Sequence, residues 1–145
     1  MPERSGPFWE AMAGRAPMPP VAATLGWELV EADTDARTIE VAFTAGRDFT
    51  NPMGNIQGGM LAAMLDDTLG PALAATLANG QFAVTLELKV NFLRPASEGR
   101  LVGRGRVVHR GNSVAFLEGS LDDADGATVA TATATARIIS AELPA

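Results

Sequence analysis

The chain has 145 residues but contains no cysteine and only one histidine. The absence of cysteine excludes disulfides, thiolate zinc sites and a cysteine nucleophile. A His-rich metal site is likewise impossible, and a Ser-His-Asp triad would have to use His109. His109 lies in a strand-like run without an evident nucleophile elbow, so we interpret it as an ordinary strand residue.

Long apolar runs are also missing. No stretch of about 18 apolar residues occurs, which argues against a transmembrane helix. The first residues, Met1–Gly6, lack the apolar core of a signal peptide. The length is that of one domain. These features predict a cytoplasmic, single-domain protein that does not span a membrane.

The chain is acidic, but its charge is unevenly distributed. The net charge of −6 argues against general nucleic-acid binding. Residues 89–110, however, carry a local charge of +5, because Glu98 is their only acidic side chain. Their basic side chains are Lys89, Arg94, Arg100, Arg104, Arg106 and Arg110. This local excess suits a small anionic ligand better than a polyanion.

Hydrophobic periodicity predicts two helices and six strands. The predicted helices are Pro7–Ala13 and Gly58–Ala78, the second closed by Asn79-Gly80 as a C-cap. The predicted strands are Leu25–Asp33, Arg37–Thr44, Phe82–Leu93, Arg100–Arg110, Ser113–Leu121 and Ala127–Ile139. The last four must be antiparallel, because their connections are too short for crossovers. One long helix against six antiparallel strands predicts an α+β fold.

The first strand after the long helix has the clearest alternation. One face carries the apolar side chains Phe82, Val84, Leu86, Leu88, Val90 and Phe92. The other carries Thr85, Glu87, Lys89 and Asn91. Strict alternation therefore predicts that Thr85 faces away from the core.

Two adjacent aspartates, Asp66 and Asp67, are the only ionisable residues between Gly58 and Ala78. A carboxylate in such apolar surroundings costs several kcal/mol to desolvate unless it is paired or hydrogen-bonded. The Gly58-Gly59 pair leaves N–H groups free at the helix start, where negative charge is favoured. Together these features indicate a site, although neighbouring residues alone do not choose between the two aspartates.

Two further motifs affect the interpretation of this helix and of the last turn. Pro71 cannot donate a hydrogen bond to the carbonyl of Asp67, which predicts a kink. Asp122–Gly126 resembles the start of a calcium loop but has Leu121 at the first ligand position, so we interpret it as a solvated hairpin turn.

The motif Asn-x-x-Gly-x-x-x-Gly-Gly, beginning at Asn51 and followed by Asp66 in an apolar helix, resembles the hotdog-fold acyl-CoA thioesterases. The branch is that of the phenylacetate-degradation and 4-hydroxybenzoyl-CoA enzymes. The strand order and the run Lys89–Ala96 are similar too, and the resemblance covers roughly residues 20–140. It implies a hotdog fold, a long central helix wrapped by a six-stranded antiparallel sheet, for a single domain at 21–145. Residues 1–20 would form an N-terminal helical segment.

The resemblance implies a role for each matching residue. Asn51 would position the attacked group or water, and the N–H of Gly58 would bind the thioester carbonyl. Asp66, not Asp67, would be the general base or nucleophile, with help from Thr85. Many relatives have histidine where this chain has Gln57, a side chain that can hydrogen-bond but cannot titrate.

The resemblance also implies the ligand and the assembly. The substrate would be a CoA thioester, and the assembly a homodimer or a dimer of dimers. No metal or redox cofactor is implied. The residues assigned to substrate binding are Gly59, Arg94, Arg110 and Asn112. The basic stretch 89–110 would supply charge for the CoA phosphates.

Helix geometry independently indicates a site shared between subunits. Gly58 and Asp66 are eight residues apart, or about 12 Å along a helix axis. One thioester carbon cannot lie about 3 Å from both. If both act, they come from different subunits across a two-fold axis.

The resemblance to hotdog proteins also allows two alternative functions. A hotdog hydratase or dehydratase needs a His/carboxylate pair, which Gln57 disfavours. A non-catalytic acyl-CoA-binding or regulatory domain would not need Asp66, Asn51 and the glycine pair. The sequence therefore favours hydrolysis of an acyl- or aroyl-CoA thioester.

Overall fold

The computed structural model describes residues 4–141. The helices are α1 (Pro7–Met12), α2 (Pro20–Leu25) and α3 (Gly58–Ala74), and a 3-10 turn lies at Arg47–Phe49. The strands are β1 (Glu28–Asp33), β2 (Thr38–Ala45), β3 (Gln81–Phe92), β4 (Gly99–Arg110), β5 (Val114–Asp122) and β6 (Thr128–Ser140).

The strands form one antiparallel sheet in the order β1-β2-β4-β5-β6-β3, which makes β1 and β3 its edges. Helix α3 packs across one face of this sheet, chiefly against β4, β5 and β3. The predicted hotdog fold is confirmed. The long edge strand β3 runs beside the helix that carries both aspartates, and this neighbourhood positions the site.

The core combines large side chains on the helix with small ones on the sheet. Five long side chains of α3 are buried, namely Leu61, Met64, Leu65, Leu69 and Leu73. On β6 the alternation of alanine and threonine turns Ala130, Ala132, Ala134 and Ala136 toward the helix. Small residues on this face let α3 lie close to the sheet.

Glycine makes the closest approach possible where α3 crosses β4. A Cβ on Gly103 would collide with the hydroxyl oxygen of Thr68, and one on Gly119 of β5 would lie 2.8 Å from Cδ2 of Leu69. Thr68 is fully buried and donates its hydroxyl hydrogen to the Met64 carbonyl at 2.8 Å. No larger residue fits at Gly103 unless the buried Thr68 side chain shifts or the helix and strand move apart.

We therefore expect Gly103→Ala to lower the free energy of unfolding by about 1–3 kcal/mol, the usual cost of overpacking a core. Urea denaturation measures the change. Thr68→Ala in the same chain removes the clashing oxygen and should restore part of the loss. If Gly103→Ala is neutral, the helix and sheet are not in the close contact described here.

The structure corrects three sequence-based boundaries. Residues 20–25 form α2, which was not predicted, so Leu25 ends a helix instead of beginning the first strand; Pro20 occupies the first helical turn, and Gly26 adopts a left-handed φ of 65° after the last. Helix α3 ends at Ala74, so the prediction of a C-cap at Asn79-Gly80 is wrong. The third correction concerns β3 and changes the site.

Candidate active site

A β-bulge in β3 reverses the predicted direction of half of its side chains. Pairing with β6 shifts between Thr85 and Glu87, which leaves Leu86 as the extra residue. After the bulge, Leu88 and Val90 pack toward the core as predicted. Before it, Phe82 and Val84 are about half exposed, at 52% and 47%. The prediction that these two form a core face is therefore wrong.

The same bulge places Thr85 on the helix side of the sheet. Its hydroxyl donates a hydrogen bond to Oδ1 of Asp66 at 2.9 Å. The carboxylate of Asp66 is exposed, so its second oxygen is open to solvent or to a ligand. A fixed carboxylate with one free oxygen can accept a proton from water or attack a carbonyl carbon.

Asp66, Asp67 and Thr85 share one cavity of about 510 Å³. Helix α3 contributes both carboxylates together with Gly70, Pro71 and Ala74. The start of β3 forms a second wall, and residues 7–19 form a third. The cavity is apolar apart from these few polar groups, a composition typical of small-molecule sites.

Trp27 fixes the backbone beside the two aspartates. Because Pro71 has no N–H, the carbonyl of Asp67 loses its helical donor, and α3 nevertheless continues to Ala74. The indole Nε1 of Trp27 donates to this carbonyl at 2.8 Å. The sequence predicted that the carbonyl of Asp67 loses its helical donor, because Pro71 has no N–H. It did not predict the new donor, Trp27, which lies in the turn before β1.

Asp67 is the less solvated of the two carboxylates. It is half-buried, and its Oδ2 is buried without a hydrogen-bond partner among the described residues. Desolvation, and secondarily the negative charge of Asp66, raises the pKa of Asp67 to about 6 from the usual 3.8. Asp67 thus carries a proton at mildly acidic pH.

The raised pKa of Asp67 predicts a pH-dependent stability. Between about pH 4 and pH 6 the folded chain binds more protons than the unfolded chain, so the free energy of unfolding falls as pH rises. The full shift corresponds to about 3 kcal/mol, which solvent access reduces to about 1–2 kcal/mol. Asp67→Asn should therefore stabilise the protein by about that amount at pH 7.5 and not at pH 4.

Urea denaturation at both pH values tests this expectation. Asp35→Asn is the matched control, because Asp35 is an exposed residue of the β1–β2 turn, and it should follow the wild type at both pH values. Equal effects of the Asp67 and Asp35 substitutions would contradict the raised pKa.

The loop before α3 carries the other predicted residues. The side-chain oxygen of Asn51 accepts the N–H groups of Met53 and Asn55, at 3.0 and 3.1 Å, and thereby closes the turn. Gln57 is exposed and makes no side-chain cap bond, so the first N–H groups of α3 are left to solvent or a ligand. Gly58 lies under the ring of Phe92, since a Cβ there would be 3.2 Å from Cζ.

The structure therefore separates the predicted residues into two groups. Asp66 and Thr85 meet at the start of β3, whereas Asn51, Gln57, Gly58 and Gly59 do not line their cavity. Gly58 lies against Phe92 near the end of β3, and seven residues of strand separate Phe92 from Thr85, or about 23 Å. The spacing along α3, about 12 Å, and the spacing along β3, about 23 Å, both place the two groups far apart in one chain.

Half of the six basic residues in the stretch 89–110 are paired with acidic residues of the sheet. Arg104 contacts Glu40 and Asp122, Arg106 contacts Glu118, and Arg100 lies 3.6 Å from Glu28. The local charge of +5 is therefore largely balanced by neighbouring strands.

Three basic residues of this stretch, Lys89, Arg94 and Arg110, take no part in the ion pairs found within residues 4–141. Arg94 is exposed after β3, and Asn112 is exposed in the β4–β5 turn. Arg110 donates to Gln81 at 3.2 Å, and Gln81 lines the cavity.

Within residues 4–141, no group of three or more His, Asp or Glu side chains has the geometry to hold a metal ion. None of the helices in that range combines the length and the apolar character needed to cross a membrane.

Comparison with known proteins agrees with this architecture. The sequence model of the thioesterase superfamily matches residues 53–130. A candidate thioesterase of Ralstonia eutropha JMP134, described as phenylacetic acid degradation-related, is 45% identical, with a TM-score of 0.88 over 90% of this chain and 98% of its own. A candidate esterase of Saccharolobus solfataricus is 31% identical over 99 residues, which are 68% of this chain and 69% of that protein.

A more distant structure shares the fold. PaaI, from the phenylacetic acid degradation operon of E. coli, is 21% identical, with a TM-score of 0.81 over 94% of this chain and 96% of its own. The superfamily match spans more than half of the chain and includes residues 53–57 of the loop, α3 and β3. From these matches and the fold, the chain belongs to the thioesterase superfamily and is a thioester hydrolase.

Proposed function

We propose that the protein hydrolyses acyl- or aroyl-CoA thioesters to the free acid and CoA. The observation that carries this proposal is the 2.9 Å hydrogen bond from Thr85 to Asp66 beside an apolar cavity. Membership of a hydrolase family disfavours the alternative of a non-catalytic binding domain.

Asp66 supplies the base or the nucleophile. In the first case it takes a proton from water as the water oxygen bonds to the thioester carbon. In the second its carboxylate attacks that carbon, and water then hydrolyses the mixed anhydride. In both cases the C–S bond breaks, and the CoA thiolate leaves and takes up a proton. Thr85 limits the rotamers of Asp66 and so orients its free oxygen.

A second copy of the chain supplies the oxyanion donor in this proposal. The N–H of Gly58 at the start of α3 stabilises negative charge on the carbonyl oxygen, where the helix dipole assists. Because Gly58 and Asp66 lie far apart in one chain, each site combines Asp66 of one subunit with Gly58 of the other. Asn51 acts in that loop by holding the turn that presents the helix start.

The edge strand β3 is our proposed contact between the two copies. Five of its residues or immediate neighbours are large, apolar and exposed, namely Phe82, Val84, Leu86, Phe92 and Leu93. A long apolar edge strand is a liability unless another chain covers it. Because Leu86 is the unpaired residue of the bulge, an antiparallel pair centred on Lys89 places Thr85 of one copy opposite Phe92 of the other, and therefore near its Gly58.

CoA phosphates require positive charge near the site. Of the two arginines suggested by the sequence, Arg94 is exposed, whereas Nε of Arg110 is buried. We therefore favour Arg94 for phosphate contact and assign Arg110 to the rim of the cavity through Gln81. Gly59, Gln57 and Asn112 keep their proposed roles at the helix start and in the β4–β5 turn.

Thiol release from a panel of acyl- and aroyl-CoAs tests the proposal. Turnover of any panel member by the wild type supports it, and failure on all of them refutes the choice of CoA thioesters. Calorimetric titration with the same compounds identifies the non-catalytic alternative, which predicts tight binding without turnover.

A further inference from the structure

Residues 7–19 cover one side of the cavity that contains Asp66. Eight residues of this segment line the cavity, among them Phe8, Ala11, Met12 and Met18. The segment lies outside residues 53–130, the part of the chain that matches the superfamily model. The match to the superfamily model therefore assigns no role to this wall.

The segment is attached to the helix that carries the carboxylates. Trp9 is buried, and its Nε1 donates to the carbonyl of Ala75 at 3.1 Å. The ring of Phe8 packs edge-to-face against Trp9 and Trp27, with centroid distances of 4.9 and 6.3 Å. Trp27 in turn donates to the carbonyl of Asp67. The wall is thus held in a defined position relative to Asp66.

The chemistry of the wall indicates what it contacts. Opposite residues 7–19, the cavity is lined by Leu73, Ala74, Phe82 and Ala83, whereas Thr85 lies with the two aspartates. A volume of about 510 Å³ is ample for a group much larger than acetyl. Methionine side chains adapt to varied apolar shapes.

We propose that residues 7–19 form the wall that selects the acyl group, and that this group is apolar and larger than acetyl. The inference rests on the proposed function, because the thioester carbon must lie beside Asp66 for its acyl chain to extend under α1. Ala11 and Met12 limit the size of the group from α1, and Met18 limits it from the proline-rich connection to α2.

The sharpest test compares two substitutions in the same segment. Ala11→Trp puts an indole into the cavity, whereas Ala13→Trp puts it on an exposed position that does not line the cavity. The substrates are acetyl-, hexanoyl-, decanoyl- and phenylacetyl-CoA, with kcat/KM measured for each. We expect Ala11→Trp to lower kcat/KM for the three larger substrates by about 10-fold or more, with acetyl-CoA close to wild type.

Ala13→Trp should leave the whole profile unchanged. If Ala11→Trp lowers activity on all four substrates by one factor, or matches Ala13→Trp, the selecting wall is refuted while the proposed function stands. If the wild type turns over none of them, the proposed function fails by itself. Calorimetric titration with decanoyl-CoA then decides the inference. Binding by the wild type and by Ala13→Trp, but not by Ala11→Trp, supports the selecting wall. Any other pattern of binding overturns it.

A second variant guards against misfolding of Ala11→Trp, which thermal denaturation would detect. Met18 is 41% exposed and lies between α1 and α2, so Met18→Ala should fold normally. Its shorter side chain opens the cavity, and the ratio of kcat/KM for decanoyl-CoA to that for hexanoyl-CoA should rise. An unchanged ratio would count against the selecting wall even if Ala11→Trp could not be purified.

Discussion

Asp66→Asn is expected to lower kcat by about 100-fold or more, the usual contribution of a positioned general base. The substitution keeps the size of the side chain and can still accept the hydrogen bond from Thr85. It removes the negative charge and the basic oxygen, and with them both proton abstraction and direct attack. Thiol release under saturating substrate measures the effect.

Asp67→Asn is the matched control, because the two aspartates are adjacent and share one cavity. Asp67 does not accept the hydrogen bond from Thr85, and its pKa is raised. Asp67→Asn should therefore change the free energy of unfolding more than it changes kcat. Equal losses of kcat from both substitutions, or none from Asp66→Asn, would remove Asp66 from its assigned role.

Two inactive variants should restore activity when combined, because each site is proposed to draw on two chains. Asp66→Asn lacks the carboxylate, and Asn51→Ala lacks the side chain that closes the turn before Gly58. In a heterodimer, one site carries both defects and the other carries neither. Co-refolding should therefore recover up to about half of the wild-type activity per heterodimer.

The control mixes Asp66→Asn with Asp66→Ala, a pair in which every site lacks the carboxylate and activity should stay absent. Heterodimers must be verified by mass spectrometry after differential tagging. Verified heterodimers without activity would mean that Asn51 and Asp66 serve one site in one chain, against the spacings of about 12 Å on the helix and about 23 Å on the strand.

Local patterns predicted the long helix and the order of the elements well. The choice of Asp66 over Asp67 depended on the family resemblance, in which the carboxylate follows the glycine pair at a fixed interval. The neighbouring residues did not decide it, since both aspartates have apolar neighbours at helical spacing. Helix α2 was missed although its signals were present: Pro20 at the helix start and Gly26 after its end are ordinary boundaries. The sequence-based prediction instead placed Gly26 inside the first strand, Leu25–Asp33.

The direction of Thr85 could not be predicted from alternation. Residues 81–92 alternate without a break, and nothing within them marks Leu86 as the extra residue. The bulge is set by pairing with β6 and accompanies the bond from Thr85 to Asp66, both of which depend on residues distant in the chain. The wall formed by residues 7–19 could not be predicted for the same reason, because its position depends on tertiary contacts of Phe8 and Trp9.

The bulge at Leu86 also makes β3 a strand in which one residue lies outside the ladder. Without the bulge, a regular strand of the same length would turn one half over, and either Thr85 would leave Asp66 or Leu88 and Val90 would leave the core. Deleting Leu86, in contrast, would restore an unbroken ladder with Thr85 and Leu88 still on one face, because two ladder positions separate them. Sequence alignments over residues 81–92 should therefore allow a one-residue gap at Leu86 and nowhere else in this strand.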